Sequence, residues 1–137
     1  ILGRLHSLPP REDDDVDLPY KLPFLLKQAG VNFAICVESS WQARNLMFNA
    51  GTASAYGLTK EEALAAITSS PAAILGIDDR AGTLETGKDG TLFISDGDAL
   101  DMLTNNVTKA FIRGKDINLD NIQAQLYRKY MTKYGLN

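Results

Sequence analysis

Apolar positions follow two rhythms along this chain. In the first half they come as runs and at helical spacing; in the second they come as short bursts broken by glycine. Ile1 to Leu5 is a short strand candidate, stopped by Ser7-Leu8-Pro9-Pro10 because proline has no N–H to give to a sheet. Arg11 to Asp17 reads as a charged loop. Helix signals begin near Pro23, a proline of the first turn, run through Phe24 to Ala29 and end at Gly30. Val31 to Val37 is a nearly continuous apolar run of strand length, the pattern of a strand covered on both faces. Arg44 to Tyr56 is a helix rich in small residues, closed by Gly57. Thr59 and Glu62 form a capping box that opens the next helix. That helix ends before Pro71, which starts a short one of its own, stopped by Gly76.

After Asp79 the texture changes. Gly82, Gly87, Gly90, Gly97 and Gly114 punctuate Thr91 to Ile94 and Lys109 to Ile112, the pattern of a small antiparallel region. Ile122, Leu126 and Tyr130 recur at helical spacing in an amphipathic tail, with Tyr127, Tyr130 and Tyr134 on its packing side. The chain therefore divides near residue 80 into a βαβα half and a β-rich half: 1–80, 81–118 and a final helix in 119–137.

Composition narrows the function classes. The 137 residues are 45% hydrophobic and 23% charged, the balance of an ordinary globular domain. The net charge is -3 with basic residues scattered, so no basic face for nucleic acid is expected. The run from Val31 to Val37 is too short to span a bilayer, and no membrane partner is expected. Cys36 is the single cysteine, which excludes an internal disulfide and a four-cysteine zinc site. A reducing, cytoplasmic setting fits it, although the sequence does not decide the compartment. The opening Ile1-Leu2-Gly3-Arg4-Leu5-His6 reads as a strand already in progress, as if inside a larger domain.

One stretch resembles a known family. Gly57-Leu58-Thr59-Lys60-Glu61-Glu62-Ala63-Leu64, then Pro71-Ala72-Ala73-Ile74-Leu75-Gly76, then Gly82-Thr83-Leu84-Glu85-Thr86-Gly87-Lys88-Asp89 are similar to the C-terminal part of the amidohydrolase superfamily, especially its imidazolonepropionase-like members. Ser70 stands where asparagine is common, and Gly90-Thr91 where Ala-Asp is common. The glycine-rich run is no phosphate loop, since its spacing matches no such fingerprint and no helix start follows it. Gly82 and Gly87 serve instead as turn residues with positive φ. The resemblance implies an α/β fold: the last βα units of a (β/α)8 barrel, then part of a small β-sandwich and a C-terminal helix. It also implies a divalent, zinc-like metal in a longer parent, held mostly by histidines. With one histidine, these residues are not expected to hold that metal or to be active alone.

On this resemblance Phe33 to Val37 is the eighth barrel strand. Glu38 then stands at the strand end where the family has its aspartate base, one methylene longer. A solvated loop carboxylate is the plainer alternative. His6 follows the seventh strand and is a candidate substrate contact, or a satisfied structural histidine. Arg44 and Asn45, just beyond the presumed active-site loop, are candidates for orienting a polar substrate, with helix capping and surface pairing as the alternative. Trp41 lines the mouth or packs beneath the loop. The acidic run Glu12 to Asp17 lacks calcium-loop spacing, and Cys36 has no nearby base in sequence.

Two functions follow. The first is the C-terminal part of a metal-dependent hydrolase that cleaves a C–N bond in an amide, cyclic amide or peptide-like small molecule. The second is a non-catalytic relative used for binding or assembly, suggested by Glu38 in the aspartate position. The expected partners are a small-molecule substrate in the parent and the missing N-terminal part of the same protein. Two barrel strands without neighbours leave open edges, so a homo-oligomer is also expected.

Overall fold

The computed structural model describes residues 1–3 and 5–136. Arg4, inside the first expected strand, and Asn137 lie outside the described residues. Among the described residues, five α-helices and three strands follow one another: α1 Leu18–Gln28, α2 Leu46–Ala55, α3 Lys60–Ala65, α4 Ser69–Leu75, β1 Leu92–Ser95, β2 Val107–Ile112, β3 Lys115–Asp116 and α5 Ile122–Tyr134. A 3-10 turn, Ser40–Asn45, precedes α2. No helix among the described residues is long and apolar enough to cross a membrane.

Among the described residues, the two expected strands of the first half are joined by one parallel bridge. Leu2 and Ile35 form one parallel bridge, closed by Leu2 N–H donating to Ala34 O and Cys36 N–H donating to Leu2 O, both at 2.7 Å. On the side of Ile35 away from Leu2, its N–H donates to Ala66 O at 2.9 Å, at the C-terminal cap of α3. Phe33, Ala34 and Ile35 are nevertheless buried, so the apolar run supplies core as expected. Around Ile35 gather Leu5, Phe33, Ala50, Ala53, Leu58, Ala63, Ala66 and Leu100. The alanines of α2 and α3 have no bulk to hold the helices apart, and that close approach builds the core of the first half.

Two helix boundaries differ from the sequence pattern. α1 begins at Leu18, not near Pro23, with Pro19 in its first turn and Pro23 fully buried inside it. The helix accommodates Pro23 one turn after its start, where the bond Pro23 cannot donate would have gone to Pro19. The segment expected as one helix from Arg44 is tighter at first, with the 3-10 turn passing into α2 at Leu46. Other local signals appear where expected. Thr59 Oγ accepts from Glu62 N–H at 3.2 Å, and Thr59 N–H donates to the Glu62 carboxylate at 2.9 Å. Gly76 ends α4 in the left-handed region.

In the second half β1 pairs antiparallel with β2, Leu92 opposite Phe111 and Ile94 opposite Lys109, and β2 pairs with β3. Residues 96–106 connect β1 to β2 and reach back to the first half. Leu100 enters the core and its carbonyl lies on Gly51 of α2. The tyrosines expected to pack beneath the last helix do not: Tyr127, Tyr130 and Tyr134 are exposed, and no residue of α5 is buried. Periodicity placed them on one face but carries no information on whether that face is covered.

Candidate functional site

The bridge between Leu2 and Ile35 separates two faces. Ile35 belongs to the core beneath α2 and α3, and Leu2 packs against the same cluster. Alternation along extended chain then turns Gly3 and Cys36 to the opposite face. A Cβ placed on Gly3 would stand 3.7 Å from Cys36 Sγ, 3.5 Å from Glu38 Cγ and 3.5 Å from Glu38 Oε1. Gly3, Cys36 and Glu38 therefore form one small group, just past the C-terminal end of the bridged pair. Glu38 is exposed and Cys36 half-buried.

His6 goes elsewhere. Its Nε2 lies 2.7 Å from Thr52 Oγ on α2, and the Thr52 hydroxyl donates to Phe48 O at 3.0 Å. With the single hydroxyl proton committed to Phe48, Nε2 is the donor to Thr52. The ring meets Tyr20 edge-on, with centroids 5.9 Å apart, and Tyr20 in turn lies 5.2 Å from Tyr56. His6 is thus tied to the helical side, whereas Glu38 lies over Gly3; the two side chains are not brought together.

Arg44 and Asn45 occupy the 3-10 turn that begins two residues after Glu38. Ser39 Oγ caps this turn by accepting from Trp41 N–H at 3.2 Å. The Arg44 guanidinium sits 4.2 Å from the centre of the exposed Trp41 ring. Asn45 stands at the N-cap of α2, yet its side chain makes no capping bond. Both groups are exposed on the loop that carries Glu38.

Two hollows mark the surface. One of about 490 Å³ is walled by His6, Phe48, Lys60, Asp98 and Met102. The other, of about 300 Å³, lies between Lys27, Asn32, Phe33, Glu62 and Ser70. Neither includes Glu38, Arg44 or Asn45. In the first, Lys60 pairs closely with Asp98. That hydrogen bond is the main reason the Asp98 carboxyl is held below its ordinary range and the Lys60 ammonium above its own. Beside the second, the Thr59 backbone N–H is the main cause holding the Glu62 carboxyl down, with Lys27 assisting at 3.3 Å.

Sequence reasoning missed Gly3, Thr52, Lys60 and Asp98. Lys60 and Asp98 are 38 residues apart and carry no local signal. Gly3 had one: it is the residue without a side chain in the short strand candidate Ile1 to Leu5. Among the described residues no three His, Cys, Asp or Glu side chains gather as a metal-holding set. These residues alone do not fit the divalent ion that amidohydrolases generally use.

Strand segments bridged in parallel against helices, followed by a small antiparallel sheet, define a mixed α/β chain. Residues 21–117 match the Amidohydrolase family, and the chain belongs to that family. It is similar to an amidohydrolase from Thermotoga maritima MSB8, at 29% identity with a TM-score of 0.74, over 86% of this chain and 30% of that one. A second amidohydrolase shares the fold at 20% identity and a TM-score of 0.60, over 83% of this chain and 30% of its own. An uncharacterized protein does so at 20% identity and 0.58, over 76% and 28%. The chain thus spans less than a third of the length of these solved structures. No curated protein matches it.

Proposed function

We propose that this chain is the C-terminal part of a metal-dependent hydrolase that cleaves a C–N bond in an amide, cyclic amide or peptide-like small molecule. The reading takes the bridged segments as the last two strands of a (β/α)8 barrel and β1 to β3 as part of a small β-sandwich. The observation that carries it is the position of Glu38. The carboxylate follows the bridged strand end, on the face turned away from the helices, in a chain of the amidohydrolase family. In a barrel of this kind that is where reacting groups stand.

Glu38 then acts as general base, taking the proton of the attacking water and returning it to the leaving nitrogen. Arg44 and Asn45, on the same loop, orient the polar end of the substrate. His6 fixes the segment after Leu5 through Thr52 instead of touching substrate. A divalent ion, when bound in the longer protein, would supply the Lewis acid that activates water; among the described residues no three His, Cys, Asp or Glu side chains gather to hold it. The non-catalytic reading keeps one supporting observation, a glutamate in place of the family's aspartate.

One experiment separates the two. The full-length protein is loaded with zinc and assayed on a panel of amides, cyclic amides and dipeptides, beside Glu38→Gln. The expected result is metal-dependent hydrolysis that falls about 100- to 10,000-fold in the variant. A metal-loaded protein with no turnover on the panel, or a Glu38→Gln variant as fast as the parent, refutes the catalytic reading.

A further inference from the structure

We propose that Arg44, held against the ring of Trp41, receives a carboxylate of the substrate, so that the bond cleaved is the amide of an N-acyl amino acid or of a short peptide with a free C-terminal carboxylate. The inference rests on the reading of the loop after the bridged strand as the mouth of the active site, and deepens it by naming the substrate class.

Three observations carry it. First, Arg44 is the only charged side chain between Glu38 and Lys60, in a chain that holds 17 acidic residues against 14 Lys and Arg. Second, its partner is aromatic. Arg80, Arg113 and Arg128 each pair with an aspartate. Among the described residues no carboxylate pairs with Arg44 and no acceptor takes a hydrogen bond from it; its guanidinium carbon lies 4.2 Å from the centre of the Trp41 ring. A ring contact holds the cation without neutralising it. It leaves the N–H donors of the guanidinium for a carboxylate, whose geometry they match as a two-pronged fork. Third, the pair is set on a braced turn. Ser39 Oγ accepts from Trp41 N–H at 3.2 Å, Ser39 O accepts from Gln42 N–H at 2.9 Å, and Leu46 N–H donates to Ala43 O where the turn passes into α2. Trp41 is 70% exposed, so its ring supports Arg44 instead of the core.

The chemistry of the loop gives the arginine a task. A carboxylated substrate brought to a loop that also carries the Glu38 carboxylate meets like charge, and Arg44 offsets that repulsion. It also reads the acid group, because an ester in its place has lost the charge that the guanidinium recognises. Trp41 is then a positioning residue, acting on the substrate through Arg44.

The experiment uses the full-length zinc-loaded protein and matched substrates: N-acetyl amino acids and dipeptides, each as the free acid and as its methyl ester. The readout is the ratio of kcat/KM for acid over ester, in wild type and in Arg44→Lys, Arg44→Gln, Trp41→Phe and Trp41→Leu. Wild type is expected to favour the acids about 10- to 100-fold, the scale of hydrogen bonds to a charged group. Arg44→Gln brings the ratio down towards one by raising KM for the acids. Arg44→Lys keeps the charge without the fork and falls between. Trp41→Leu lowers the ratio through KM and not kcat, and Trp41→Phe, which keeps an aromatic face, restores most of it. The proposal is overturned if wild type fails to favour the acids, or if Arg44→Gln leaves the ratio unchanged. An unchanged ratio in Trp41→Leu overturns the positioning role. A wild type that hydrolyses nothing refutes the hydrolase reading, and binding then decides. Succinate and dimethyl succinate, which have no C–N bond to cleave, are titrated calorimetrically into wild type and Arg44→Gln. A preference for succinate that drops about tenfold or more in the variant supports the carboxylate receptor. Equal preference in the two proteins, or no succinate binding, ends it.

Discussion

Replacing Gly51 by alanine sets two opposed effects on one methyl group. Gly51 lies within α2, where alanine in place of glycine ordinarily gains about 1 kcal/mol of helix stability. Here the new Cβ would stand 2.1 Å from Leu100 O and 3.1 Å from Leu100 C. Those are backbone atoms of the segment joining β1 to β2, and they have no rotamer to retreat into. The segment is also tied to itself. Leu100 N–H donates to Asp98 at 2.9 Å, and the Asn105 amide donates to Ala99 O at 2.9 Å. A Cβ on Gly97 would lie 2.0 Å from Thr104 O, so the two ends of the segment already touch. It must therefore lift as a unit, taking Leu100, now 8% exposed, out of the core. Losing that burial costs about 1.5–3 kcal/mol. Set against the helix gain, the net destabilisation is roughly 0.5–2 kcal/mol. Urea unfolding would read it as a lower midpoint at nearly unchanged slope. Leu100→Ala combined with Gly51→Ala should cost less than the sum of the two, since no leucine is left to expel. A Gly51→Ala protein as stable as the parent, or more so, refutes the account of this contact.

Further outcomes follow from single contacts. Thr59→Ala removes the hydroxyl of the capping box and should cost about 1 kcal/mol in the same urea assay. The Glu62 carboxyl is held below its ordinary 4.5 when folded, so its contribution is present at neutral pH and is lost as acidity carries the protein down through the lowered folded value. Glu62→Gln should accordingly reduce the loss of stability below pH 4.5, and an unaltered acid limb would contradict the assignment. Gly82 and Gly87 share nearly the same φ, +96° and +97°, but a Cβ on Gly82 would lie 2.6 Å from Ala72 Cβ while one on Gly87 meets open space. Gly87→Ala should thus cost about 1–2 kcal/mol from backbone strain alone. Gly82→Ala should cost about 1–3 kcal/mol more from overpacking, and equal losses in thermal melts would refute the distinction.

Much of this chain was legible from residues near one another in sequence. Thr59 and Glu62 satisfy each other across three positions, Gly76 closes α4, Gly82 and Gly87 turn with positive φ, and the bursts ending in Ile94 and Ile112 pair as β1 and β2. Each depends on hydrogen bonding or steric freedom within a few residues, or on plain alternation, so the pattern of residue types sufficed. The family resemblance was also legible, because its residues lie in continuous stretches between Gly57 and Asp89.

Tertiary structure decided the rest. Whether Ile35 N–H pairs with a strand or with Ala66 O depends on where α3 ends in space. Whether Pro23 begins α1 or lies buried inside it depends on the core it packs into. His6 and Glu38 both follow strand candidates and look alike in sequence, yet one is drawn to Thr52 on α2 and the other lies over Gly3. Lys60 meets Asp98 only because residues 96–106 fold back onto α2 through Leu100 and Gly51. The common reason is separation along the chain. Local pattern sets which residues share a face, but which face meets which partner is fixed by packing between segments tens of residues apart. The candidate site is assembled by that second kind of interaction.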